Sequence, residues 1–224
     1  MRDTIASSYH IFRKEILSEF RTRYALNALI MFVVTTLSII LFSLGNENVS
    51  KDVLCGLLWI VIFFSAMSGL SRTFVGEEER GTVFTLQLLT GSQQIYFGKL
   101  VYNFVLILSL NIIIAVAYQI VVKDFSIQNQ SIFWITLLLG SIGLAGASTI
   151  LAAIIAKANT KGTLFPVLAF PILLPLLLTA INATKLASDG AFMREALQEF
   201  QILISYSVVL ITASIILFEF VWRE

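Results

Sequence analysis

The chain has 224 residues, of which 58% are hydrophobic and only 13% charged. A chain this short has too little interior to hide that many apolar side chains from water, so lipid is the remaining solvent. The low charge excludes neither a core nor a membrane but argues against disorder, the lone Cys55 excludes a disulfide scaffold, and a net charge of +1 offers no basic field for nucleic acid.

The first predicted element is a helix ahead of the apolar region. Ile5, Tyr9, Phe12, Ile16 and Phe20 recur at helical spacing, with Arg13, Lys14, Glu15, Ser18 and Glu19 elsewhere on the circumference. Followed by Arg21 and Arg23, such a helix is expected to lie in the membrane interface over residues 1–24, either as an anchor that sets topology or as a surface for a partner. Residues 25–224 then read as a six-helix transmembrane domain. Its uncharged apolar runs are Ala25–Leu44, Val53–Leu70, Leu100–Val122, Ile132–Ala156, Thr163–Ile181 and Ile202–Phe218. Each has about 17 residues or more, enough to cross a hydrocarbon core of roughly 30 Å as a helix. None alternates in the manner of a barrel strand.

Of the 15 Lys and Arg residues, all but Lys51, Lys123, Lys185 and Arg194 fall in the N-terminal segment, the second connection with Lys99, the fourth connection or the tail. The positive-inside rule therefore puts both termini in the cytoplasm. The N-terminus does not read as a cleavable signal, because its first apolar run begins only at Ala25 and is long enough to span.

The connection 71–94 reads SRTFVGEEERGTVFTLQLLTGSQQ and is the longest polar interruption on the expected cytoplasmic side. Gly76 and Gly81 bracket the charges Glu77–Arg80, and an apolar helical stretch, Val83–Leu89, follows. Taken alone, the acidic cluster reads as a solvated turn leading into a short surface helix. On the other side, Asn182–Gln201 suggests amphipathic pieces that dip back into the outer leaflet. Pro166, Pro171 and Pro175 all sit in the fifth run, which is expected to bend. Gly140, Gly143, Gly146 and Ala147 give the fourth run a small-residue face for close helix approach, to a neighbour in this chain or in a second copy.

Chemical equipment is sparse. His10 and Cys55 stand alone, with no HExxH, no GxSxG and no cluster at metal-ligand spacing, so no enzyme is expected. No GxxxxGK[ST] loop is present, so any ATP is hydrolysed by a separate subunit. Lys99 and Glu219 stand at run ends, where snorkelling suffices, and the interiors hold only amides and hydroxyls such as Asn27, Asn103, Asn111, Gln119, Thr35 and Thr36, expected to bridge helices.

Several stretches resemble one family. Phe12–Arg23 ("FRKEILSEFRTR") resembles the basic opening helix of the permease subunits of type-2 ABC exporters, and within them of the heme exporter protein B (CcmB) family. Gly56–Leu89 is similar to its G-x-x-W run, its L-x-R-x-F step, and the acidic, glycine and leucine-rich sequence after the second span. Gly98–Asn103 ("GKLVYN") and Thr160–Leu178, with Pro171 and Pro175 four apart, resemble the start of its third span and its paired prolines. Phe84 departs from the pattern, standing where the family usually has an acidic residue.

The resemblance implies an all-α, type-2 ABC exporter permease-like fold in the bacterial inner membrane. It implies two copies of an ABC ATPase docking on a coupling loop over 71–94, with Glu77, Glu78, Glu79, Arg80, Gly81 and Thr82 as coupling residues and Gly76 and Gly81 as hinges. The partners it implies are other cytochrome c maturation subunits, a heme chaperone and a possible second copy, with ATP and heme both held by partner subunits. The expected activity is ATP-driven heme export or release of the heme-loaded chaperone. The alternatives are a type-2 permease for a lipid, polysaccharide or drug, and a structural subunit that binds partners through the same loop.

Overall fold

A computed structural model describes residues 2–22, 24–45, 49–70, 73–79, 81–157 and 164–223. Among them run nine α-helices and no strand: α1 (Arg2–Thr22), α2 (Tyr24–Leu44), α3 (Lys51–Leu70), α4 (Val75–Glu79), α5 (Val83–Leu89), α6 (Ser92–Val121), α7 (Gln130–Ala156), α8 (Leu164–Asp189) and α9 (Leu197–Arg223). Helices α3, α6, α7, α8 and α9 are long and apolar enough to cross a membrane, and Leu29–Leu44 within α2 is a shorter apolar stretch. The polytopic all-helical reading holds.

Helix α7 is the axis of the bundle and touches α3, α6, α8 and α9. Its small-residue face explains why. A methyl group on Gly140 would run into Trp59 of α3, on Gly143 into Leu176 of α8, and on Gly146 into Ile211 of α9. The neighbours of that face therefore lie in this chain, a question the sequence left open. Where lipid is the solvent, burial of apolar groups contributes little between helices, so close backbone approach and hydrogen bonds do the joining. Asn103 donates to Thr149 at 2.8 Å and Asn111 to Ser141 at 2.9 Å, both between α6 and α7, while Trp59 donates to Thr184 of α8 at 2.9 Å.

One expectation changes. The connection after the fifth run is not a set of dipping pieces: α8 continues as one helix to Asp189 because Ala183 and Ala187 keep it packed against the bundle. It stops at Gly190, whose φ of +76° is the left-handed conformation that ends helices. Only 190–196 separates it from α9. Helix α8 also runs through Pro171 and Pro175 without interruption. Neither proline can donate its backbone nitrogen, and hydroxyls gather there: Thr179 donates to the Pro175 carbonyl at 2.9 Å and Tyr206 of α9 to that of Ile172.

The two ends of the bundle differ. At one, Lys51 and Lys185 face Asp189 and Asp52 in exposed pairs at 3.5 and 3.3 Å, which contribute little. At the other, α1, α4 and α5 meet the ends of the long helices.

Candidate functional site

The site is at the α1 end and grows from one lysine. Helix α6 begins at Ser92, ahead of the apolar run, so Lys99 lies two turns inside it rather than at its tip. It falls on the buried stripe of Tyr96, Lys99, Asn103, Leu110, Ile114 and Tyr118, and its exposure is 0%. Lys99 does not snorkel. Its ammonium has three protons and meets three acceptors: the Thr73 carbonyl at 2.6 Å, Glu15 Oε1 of α1 at 3.1 Å and Glu77 Oε2 of α4 at 2.9 Å, the last as an ion pair off the hydrogen-bond direction. The ring of Phe74 covers the ammonium at 4.5 Å.

Lys14 closes the group, reaching Glu77 Oε1 at 2.5 Å and Glu15 at 3.3 Å. Two cations and two carboxylates thus balance, as a buried cluster requires. Burial alone would raise the Glu77 carboxyl, but Lys99 and the hydrogen bond from Lys14 outweigh it and hold the group below its ordinary value. Lys14 responds in the opposite sense: burial would lower it, while Glu15 and Glu77 hold its ammonium above the usual value.

Helix α1 reaches Lys99 because Gly98 has no side chain. A Cβ there would lie 2.8 Å from the Ile11 side chain and 2.8 Å from the Ser8 carbonyl. Ser8, Ile11 and Glu15 therefore form the face of α1 against α6, with Ser8 donating to the Gln94 carbonyl at 3.2 Å. This differs from the expected stripe. Phe12 and Ile16 are half-buried beside that face, but Tyr9 is exposed, because α6 offers a glycine and a cation here rather than an apolar groove. The side chains of Ile5 and Phe20 lie outside those described.

Beneath the charges is an aromatic floor. Phe74 sits 5.6 Å from Phe218 and 5.8 Å from Trp222 of α9, and Tyr96 sits 5.3 Å from Phe218. Thr73 also donates to Asn103 at 3.0 Å, continuing the polar chain to Thr149 and hence to α7.

The loop residues singled out in the sequence separate. Glu77 points inward with 7% exposure, Glu78 is half-exposed and Glu79 exposed. Arg80 lies outside the described residues. Gly76 stands inside α4 and is helical, so of the two expected hinges only Gly81 has hinge-like backbone, at a φ of +65°. Gly81 donates to the Glu78 carbonyl at 3.2 Å and Thr82 to that of Glu77 at 3.0 Å, the paired bonds of a Schellman stop. Thr82 is then the N-cap residue of α5. Helix α5 coincides with the stretch anticipated in the sequence. Val83, Leu86 and Gln87 face the protein, Gln87 donating to the Trp222 carbonyl at 2.5 Å. Phe84, Leu88 and Leu89 face away, exposed by 75%, 81% and 77%.

Sequence reasoning missed the inward role of Lys99 and Glu77 and the part played by Phe218 and Trp222. A signal existed: Tyr96, Lys99, Asn103, Leu110, Ile114 and Tyr118 keep one helical period, which put Lys99 on the same face as the bundle-facing residues.

Helices of this length and composition, bonded to one another through small residues and amides, define a multi-pass membrane protein. The family model described as CcmB protein matches residues 6–220, nearly the whole chain. The chain belongs to the CcmB family, the heme exporter protein B family, and is thus a membrane permease subunit of a heme-exporter ABC system. That family is one of transporter subunits rather than catalytic enzymes, working with an ABC ATPase and other cytochrome c maturation components. No curated protein matches the chain.

Proposed function

We propose that this permease couples ATP hydrolysis by two copies of a separate ATPase to heme export or to release of a heme-loaded chaperone, and that α4 and α5 receive the ATPase. The supporting observation is α5. It is too short to span and is fastened to α9 through Gln87, yet it turns Phe84, Leu88 and Leu89 outward, and the exposed acid Glu79 shortly precedes it in the chain. Three large apolar side chains on one face of a surface helix form an amphipathic ridge suited to a groove on another protein. Glu78, Glu79, Gly81 and Thr82 lead into that ridge as the acidic and turning part of the contact, Arg80 is assigned to it by sequence position, and Glu77 serves it from behind.

In this reading the α1 end and both termini face the cytoplasm of a bacterium, across its inner membrane, because that end carries most of the Lys and Arg. Pro171 and Pro175 mark where α8 can bend as the bundle moves. ATP and heme are held by partner subunits, and this chain supplies movement.

The test is co-purification of the ATPase from membranes carrying Leu88→Asp or Glu79→Lys. Charge placed on the ridge should strip the ATPase from the complex while the permease stays folded. Native amounts of ATPase with both variants would refute the docking assignment.

A further inference from the structure

We propose that Lys99 is a positioning residue for this coupling, joining α1 and α4 to α6 so that a push on the loop moves all three as one body; the inference rests on the docking role given to α4 and α5. Three elements with separate places in the chain converge on a single ammonium: Glu15 from α1, Glu77 from α4, and the Thr73 carbonyl from the corner between α3 and α4. Lys14 of α1 reaches the same Glu77 carboxylate and adds a second tie between α1 and α4. Two protons of Lys99 are bonded, to the Thr73 carbonyl and to Glu15, the Glu77 carboxylate faces the ammonium at 2.9 Å, and Phe74 covers the remaining side, so the joint has little room to slide. Its strength is electrostatic and its surroundings are dry, so it resists a shear that apolar packing would allow.

The joint also leads into the bundle. Thr73, whose carbonyl binds Lys99, donates from its hydroxyl to Asn103, and Asn103 donates to Thr149 of α7. A displacement of α4 is therefore delivered to the start of α6 and, one turn further on, to the central helix. On the opposite side α5 follows α4 through the left-handed Gly81, a turn closed by bonds from Gly81 and Thr82 to the Glu78 and Glu77 carbonyls, so a push on the ridge reaches α4.

The test uses the whole complex with its ATPase and membrane partners. Lys99→Met alone would strand two carboxylates on one lysine, so the informative variant is Lys99→Met with Glu15→Gln, which removes the joint and leaves Lys14 paired with Glu77. Lys99→Arg keeps the charge and the donors. The readouts are thermal stability, the amount of ATPase co-purified, and ATP-driven formation of holo-cytochrome c seen by heme staining.

The double variant should keep native stability and native ATPase content but lose about tenfold in holo-cytochrome output, within the roughly 5–150-fold range of such couplings. Lys99→Arg should retain most of the output. Native output from the double variant would overturn the proposal, and so would loss of stability or of bound ATPase in step with output, since the joint would then be structural only. Leu88→Asp and Glu79→Lys run alongside: if both leave the ATPase bound, the docking reading has failed, whereas ATPase loss there with full output from the Lys99 double variant sinks this inference alone.

Discussion

Gly98→Ala probes the packing that lets α1 reach Lys99. The new Cβ would sit 2.8 Å from Ile11 and 2.8 Å from the Ser8 carbonyl, against a comfortable carbon separation of about 3.6 Å. Neither neighbour can turn away, because the Ile11 contact includes its Cβ and the Ser8 contact is backbone, so α1 must retreat by about 0.8 Å. That retreat takes the Ser8 hydrogen bond, now 3.2 Å, beyond bonding range, and stretches the Lys99–Glu15 pair from 3.1 Å. Overpacking of this kind costs about 1–3 kcal/mol. A central value of about 2 kcal/mol raises the population of detached α1 about thirtyfold. Arg13 and Lys14 are trypsin sites on α1, and when opening is fast, cleavage follows the open population. Limited trypsinolysis in detergent, with mass spectrometry to locate the cut, should show that increase at Arg13 and Lys14. Adding Ile11→Ala removes only the Cγ2 contact and leaves those to the Ile11 Cβ and the Ser8 carbonyl, so it should recover little of the rate. Cleavage at the native rate in Gly98→Ala would refute the close-approach argument.

Three further outcomes are expected. Glu77 titrates below its ordinary value of 4.5, so its contribution to stability is complete above that value and is lost as pH falls through its lowered folded value; melting curves should show the native chain losing more stability than Glu77→Gln as pH falls below 4.5. Gly143→Val should prevent α7 from seating against α8, since even one methyl group there meets Leu176, and size-exclusion chromatography should show an aggregated or polydisperse permease. Asn103→Leu removes the bridge from Thr73 to Thr149, at about 1 kcal/mol in a membrane setting, and a melting shift of several kcal/mol would mean that the polar chain carries more than helix bridging.

The sequence by itself determined what depends on composition and period. Long apolar runs must close their backbone hydrogen bonds internally in lipid, so five long apolar helices, the all-helical class and the short helix Val83–Leu89 followed from the residues alone. The glycine face of α7 was legible as a close-packing face for the same reason: a missing side chain is a local fact. What that face packs against was not. Trp59, Leu176 and Ile211 come from three distant helices, and no local property selects them. The charges show the same division. Glu77, Glu78 and Glu79 are equivalent in sequence, and a turn in α4 sends one inward and leaves another exposed. Lys99 looked like a lysine at a span end because its acceptors stand 84 residues away in α1 and 26 residues away at Thr73. A buried ammonium is tolerable only where every proton finds an acceptor, and those acceptors assemble only when α1, α4 and α6 pack together.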